Sequence, residues 1–347
     1  MTGRNDGSTR RLWTIASSRK GITTESELGH LLSPKRERKE KNSGQRFAHG
    51  GGCADSFSGW LQSKQVMRCE RINMAFAGPQ STDGNDRPAT QVRPLCWKVR
   101  GLPIHFLASM HFGPQGGFFH GAAAMEAFDG ADEVHFEITR NDLDLVPGLA
   151  RREAGSLREE LGPELYSRLV GDPRYDQSFE GIKLPFVVTG LATHVYTEIG
   201  LSHQCGVENV LYARAGNNGQ EIHGLEAATD QVRSLISIGM DRVTGGLRNM
   251  LERPELVTEM RDLLVMGYVQ GDQDAMNLAR AKMYELYPDV ADCLLTAREA
   301  RWLPKLEAIV RSGRPTMVIV GALHFAGEDG ILAALKQHDV VVDRLGE

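Results

Sequence analysis

From Leu95 onward the chain carries two kinds of apolar pattern. The runs LCWKVRG (95–101) and IHFLASMHF (104–112) are strand-like and are joined by a Gly-Leu-Pro turn. GAAAMEAF (121–128) has helical spacing, and DEVHFEI (132–138) returns to a strand. Between about 150 and 312 the period changes. LREELGPELYSRLV, EAATDQVRSLI, PELVTEMRDLLVMGYV, DQDAMNLARAKMYELY and ADCLLTAREARWLPKLEAIVRS all place apolar residues at helical spacing with charge on the other faces. No heptad persists, so this block reads as a helical layer and not a coiled coil. TMVIVG (316–321) is a buried strand, EDGILAALKQ (328–337) a helix with acids in its first turn, and DVVVDRL (339–345) a closing strand.

The two ends of this region repeat a half-motif. One reads strand, Ala-Ser-Met-His (108–111), a loop with Gly113, Gly116 and Gly117, helix, strand. The other reads strand, Gly-Ala-Leu-His (321–324), a loop with Gly327 and Gly330, helix, strand. The expected fold is therefore α/β, a mixed sheet built from two strand–GxxH-loop–helix–strand units with a large helical insertion between them. Each histidine follows the carboxyl end of a strand, where α/β sheets bind ligands. Side by side, the units would aim His111 and His324 into one crevice, with Gly321 and Gly327 allowing the chain to turn around His324. In that crevice His324 would carry little packing. Alternation along 132–138 puts Val134, Phe136 and Ile138 on one face and Glu133, His135 and Glu137 on the other. Glu137 then either decorates a wet face or faces a cation, because an unpaired buried carboxylate is costly.

Charge separates the first 94 residues from the rest. Of 347 residues, 1–94 hold 16 Lys and Arg against 9 Asp and Glu, and the remainder hold 24 against 36. SPKRERKEKNSGQRFAHGGGCADS (33–56) and GPQSTDGNDRPATQVRP (78–94) have no apolar period. Residues 1–94 are expected to be a disordered basic head and linker, dispensable for folding, with translation from Met74 as an alternative origin. A solvated tail accounts for this charge better than a nucleic-acid arm does, so no nucleic-acid partner is expected. The Arg- and Ser-rich opening has only a faint transit-peptide composition. No apolar run reaches 18 residues and no hydrophobic signal core follows Met1, so no membrane span and a cytoplasmic location are expected.

Five widely spaced cysteines without a C-x-x-C pair argue against a disulfide framework or a zinc knot, and Cys96 and Cys205 read as small core residues. No G-x-S-x-G nucleophile elbow, P-loop or strand-following G-x-G-x-x-G occurs, which argues against a triad hydrolase and a nucleotide site.

The order of these stretches resembles the TraB/PrgY/GumN family, which is related to the Tiki metalloproteases. The resemblance covers residues 95–346 and rests on LCWKV…IHFLASMHFG, ADEVHFEI, GVENVLYARA…GQEIHGLEAATDQ, GDQDAM and RWLPKLEAIV…VGALHFAGEDGILAAL. It implies a divalent-metal-dependent hydrolase, peptidase-like, with manganese or cobalt preference in the Tiki relatives; a mixed N/O ligand set by itself suits Mn, Co, Fe or Zn, and a peptide or small-molecule substrate is expected. Two positions depart from the family pattern: Ala108 stands for the first motif's usual Gly, and Glu299 follows Arg298 where Asn is usual.

The expected chemistry places a metal on His111, His324 and Glu137, with Glu137 as ligand or general base for an activated water. Arg298 would stabilise an oxyanion or orient a carboxylate, unless it forms a helix-surface salt bridge. Glu226 would add a further acid, unless it only complements a helix dipole. The competing reading is a non-catalytic member of the fold that binds or sequesters a peptide, a metal or haem, and Glu299 gives it weight.

Overall fold

The structure, a computed structural model, describes residues 89–345. The expected head therefore lies outside the described residues up to position 88. In chain order the strands and helices are β1 (Thr90–Gln91), β2 (Cys96–Val99), β3 (Ile104–Ser109), β4 (Phe118–Phe119), α1 (Ala122–Asp129), β5 (Glu133–Ile138), α2 (Val146–Ala150), α3 (Leu157–Gly171), α4 (Leu184–Glu198), α5 (Val207–Asn218), β6 (Glu221–Glu226), α6 (Ala228–Ile236), α7 (Met240–Glu252), α8 (Pro254–Gln270), α9 (Gln273–Leu286), α10 (Pro288–Ala291), α11 (Ala297–Ser312), β7 (Thr316–Gly321), α12 (Ile331–Gln337) and β8 (Val342–Arg344).

A mixed six-stranded sheet runs in the order β6-β5-β7-β3-β2-β8. Strands β6, β5, β7 and β3 are mutually parallel, and β2 is antiparallel to both β3 and β8. The expected Gly-Leu-Pro hairpin is present, with Trp97 opposite Phe106. Both repeated units are strand–helix–strand crossovers, but they leave the centre in opposite directions. The first runs from β3 past β7 to β5, and the second from β7 past β3 and β2 to β8. Because such crossovers are right-handed, their helices fall on opposite faces of the sheet. Contacts agree with this. On one face α1 is tied to α5 by Arg214 to Asp129, and Phe136 packs on Tyr212 of α5. On the other, α11 meets Glu137 and α12. The junction of β3 and β7 is thus a topological switch point, with Ser109 opposite Gly321 at its carboxyl edge.

β7 is buried from Thr316 to Val320, as its unbroken apolar run requires. The helical insertion packs largely on itself. Leu157, Leu165, Leu169, Val187, Leu191 and Leu247 form one buried cluster, and Val146, Phe186, Val232 and Leu235 another. The α3 pattern is interrupted where Gly162, at φ 72°, precedes Pro163.

Four expectations change. The linker was expected to reach Pro94, but Thr90–Gln91 pair with Phe118–Phe119 and Val92 is buried. The block 150–312 is not helical throughout, since β6 lies within it. Helix α12 starts at Ile331, so Glu328 and Asp329 precede it, and Asp329 pairs with Arg280 instead. The closing strand is only Val342–Arg344. Cys96 sits in the core, where burial pushes its thiol up to about 12. No helix among the described residues is long and apolar enough to cross a membrane.

Candidate functional site

The carboxyl edge of β3, β5, β6 and β7 gathers most of the chemistry anticipated from sequence. Glu137, near the end of β5, is buried and not on a wet face. Its Oε1 accepts the backbone N–H of Gly321 at 2.6 Å, and its Oε2 accepts Arg298 Nη2 at 2.7 Å. Burial pushes the Glu137 carboxyl up, but Arg298 first, then His324, His111 and the Gly321 N–H outweigh it. The group is held far below the usual carboxylate range.

His111 lies two residues past β3. Its Nδ1 is 2.9 Å from Oε1 of Glu208, which also accepts from Ser109 Oγ. The opposite ring nitrogen, Nε2, turns toward Gly321: a methyl group built on that glycine would lie 3.8 Å from it. The side chain is 56% exposed, so one edge of the site is open. Glu208 raises the His111 pKa to about 9, against burial, which lowers it. The donor atoms of His111, Glu137 and Glu208 all lie within 4.8 Å of one another.

Glu208 reaches this place because of two close backbone approaches. A Cβ on Gly206 would stand 2.2 Å from the carbonyl oxygen of His111, and one on Gly113 would stand 2.1 Å from that of Cys205. Only glycine permits such contacts. The N–H of Val207 then bonds to Met110 O at 2.9 Å, docking the start of α5 beside His111.

His324 enters from the other side of Glu137, with Nε2 3.7 Å from Glu137 Oε1. It is buried, against the expectation of a crevice residue with little packing, because the Trp302 ring packs 4.7 Å from its own. Its Nδ1 is 2.9 Å from Glu299 Oε1. That carboxylate is in turn gripped by Arg280 at 2.7 and 2.9 Å. The two histidines are thus held alike, each with Nδ1 on a carboxylate and Nε2 toward the centre. Gly327 has the anticipated left-handed backbone at φ 81°, but Gly321, at φ −54°, does not. Glycine at 321 serves space instead, since a Cβ there would meet Glu137 Oε1 at 3.0 Å.

Arg298 is buried and no surface salt bridge. It bridges Glu137 and, through Nε at 2.6 Å, Glu226. Nη1 reaches Leu294 O at 3.3 Å and lies 3.5 Å from His324 Nε2. With its amide oxygen turned inward, Gln231 accepts from both terminal nitrogens at 3.3 and 3.2 Å. A π-helical turn, Asp292–Thr296, leads into α11 just before this residue. Glu226 therefore touches arginines, Arg298 and Arg301, and not the His111–Glu137–Glu208 group.

The TraB/PrgY/gumN family pattern matches residues 95–344. The chain belongs to this family. A D-alanine–D-alanine ligase of Halalkalibacterium halodurans is 35% identical over 96 residues, 26% of this chain and 30% of the ligase. The chain spans under a third of that relative, and so short a stretch says nothing of this protein's activity. No solved structure gives a significant match.

Within this TraB/PrgY/gumN domain, sequence reasoning brought together His111, Glu137, His324, Arg298 and Glu226, and it missed Glu208. The available signal was an acid in the first turn of a helix that begins directly after Gly206. It also treated Glu299 only as a departure. In the fold that carboxylate stands behind His324, and Arg280 compensates its charge.

Proposed function

We propose that this site binds one divalent cation through Nε2 of His111, Nε2 of His324 and the carboxylate of Glu137, and that the protein is a metal-dependent hydrolase acting on peptide-like substrates. The observation that carries the reading is the matched orientation of two histidines around one carboxylate. Each Nδ1 is 2.9 Å from a glutamate, Glu208 or Glu299, which turns each Nε2 toward the centre, where Arg298 Nη1 stands 3.5 Å from that of His324 in the metal-free site. Histidine ligands are characteristically oriented by such carboxylates. The residues fit a cation on their own chemistry. One carboxylate and two imidazoles form a mixed N/O set suited to Mn, Co, Fe or Zn.

When bound, the cation would supply Lewis acidity and lower the pKa of a coordinated water. The chain's own residues prepare the site. Glu208 fixes the ring of His111, Glu299 fixes that of His324, and Arg298 with the Gly321 N–H holds Glu137 ionised. Arg298 acts here as a positioning residue, because it bonds to Glu137, Glu226, Leu294 O and Gln231, and its Nη1 stands 3.5 Å from His324 Nε2. The open edge at His111 is where a substrate would approach.

Arg298 also favours a second reading, a binding site without turnover. Its charge beside Glu137 opposes a cation and leaves no unpaired acid buried in the metal-free state. One experiment separates the two: hydrolysis of a mixed fluorogenic peptide library by metal-free protein with and without added manganese or cobalt, compared with His111→Ala. Metal-dependent cleavage lost in the variant supports the hydrolase. Saturable metal binding without cleavage of any library member supports the second reading.

A further inference from the structure

On the same sheet face, two residues before Glu137, a second group of ligating side chains has been left out of the site above. Strands β5 and β6 are parallel neighbours, and their register sets Glu133 beside Glu221 and His135 beside His223. The two imidazoles stack with centroids 4.8 Å apart and planes 28° from parallel. His135 Nε2 is 3.3 Å from Glu133 Oε2, and His223 Nε2 is 3.6 Å from Glu221 Oε2. The donor atoms of Glu133, His135 and His223 all lie within 4.8 Å of one another.

The first spacing is a long hydrogen bond and the second is beyond hydrogen-bond range, and both suit ligands that share an ion. With bonds of about 2.1 Å, tetrahedral ligand atoms stand roughly 3.4 Å apart. Arg314 anchors the arrangement from outside. It pairs with Oε1 of Glu133, leaving Oε2 toward His135, and lies 3.5 Å from Glu221. Glu133 and His135 are mostly shielded from solvent, while His223 is 44% exposed and gives an ion a way in.

We infer that Glu133, His135 and His223 form a second divalent-cation site, with Glu221 available as a fourth ligand. Two imidazoles per carboxylate, beside an arginine, select a borderline ion such as zinc, nickel or copper over magnesium or calcium. The site is not a partner of the first in a two-metal centre. His135 and Glu137 are two residues apart on one strand, roughly 7 Å, whereas paired catalytic metals sit about 3.5–4 Å apart. β6 is an edge strand, so an ion here would staple it to β5 and steady the strand that ends at Glu226.

The test is zinc binding by the full chain, stripped with chelator and then measured by equilibrium dialysis and thermal unfolding. Wild type should bind two equivalents and gain melting temperature, since a ligand that binds only the folded state stabilises it. His223→Ala should lose one equivalent, with affinity at this site down at least tenfold, while His111→Ala loses the other. His223→Asn, closer in size, should behave like His223→Ala. Zinc stoichiometry in both His223 variants equal to that of wild type would overturn the inference. A loss in the His223 variants alone would leave this site standing while removing the first.

Discussion

Nδ1 of His324 donates to Oε1 of Glu299 across 2.9 Å, and the same carboxylate takes both terminal nitrogens of Arg280. Both partners are buried. Replacing Glu299 by Ala therefore strands a buried guanidinium that keeps only Leu323 O and the exposed Asp329. Loss of one member of a buried pair typically costs about 3–5 kcal/mol. Glu299→Ala should destabilise by about 3 kcal/mol, and the double variant with Arg280→Met should recover much of that. Equal and additive losses in a double-mutant cycle by urea unfolding would show that the two do not act as a pair.

Gly206 controls where Glu208 sits. A methyl group there would collide with the carbonyl of His111, so Gly206→Ala should shift the start of α5 and weaken manganese binding by about tenfold or more, the scale of a lost orienting contact. Isothermal titration of manganese into both proteins decides it, and unchanged affinity would mean that the docking of α5 is irrelevant to the site.

Much of this arrangement was legible in the sequence, and the gaps have physical causes. β3, β5 and β7 could be read because their apolar periods are local. His111 and His324 stood out because glycine-rich loops follow buried strands. β6 was legible only as an apparent strand end before Glu226 and not as a break in the helical block, because EIHGLE has no clean alternation and is flanked by strong helices. Glu208 was missed for another reason: a first-turn acid after Gly206 is an ordinary local feature, and what recruits it is the approach of Gly206 to His111, some 95 positions away in the chain. The burial of Glu137, Arg298 and Glu226 as one network likewise appears only once α11 is laid across the sheet.

Protonation should compete with the metal at His111. In the metal-free protein Glu208 raises its pKa to about 9. The charged pair stabilises the fold fully below about pH 6.5, and that contribution fades as pH climbs through about 9. The exposed ring edge keeps it small. Metal binding runs the other way, because a proton must leave the ring. Manganese affinity should rise with pH between 6 and 9 by up to about tenfold per unit. Glu208→Gln should flatten that slope. A flat profile in wild type would contradict the assignment of His111.

His120 gives an acid-side effect separate from the site. Burial pushes its pKa down to about 4, and Nε2 is 2.7 Å from Tyr268 Oη, which itself donates to Ala108 O. The neutral ring is therefore built in, and the unfolded chain binds the extra proton first. Stability should fall as pH drops from about 6.5 toward 4, by on the order of 2–3 kcal/mol at the lower end. His120→Gln should reduce this dependence. A wild-type urea midpoint independent of pH across that range would contradict the buried neutral form.

The central claim is that His324 meets the metal through Nε2 while Nδ1 serves only to hold the ring on Glu299. His324→Asn tests it most directly, because the shorter amide preserves a donor near the Nδ1 position and deletes Nε2. Manganese bound per chain and the melting temperature of the metal-free protein should be measured for wild type, His324→Asn and Glu208→Gln. The account predicts a lowered but still cooperative melting transition for His324→Asn, since the ring packed on Trp302 is lost, with manganese binding lost, and a weaker but measurable site in Glu208→Gln. Full manganese binding in His324→Asn together with its complete loss in Glu208→Gln would contradict the account and make Glu208 the ligand in place of His324.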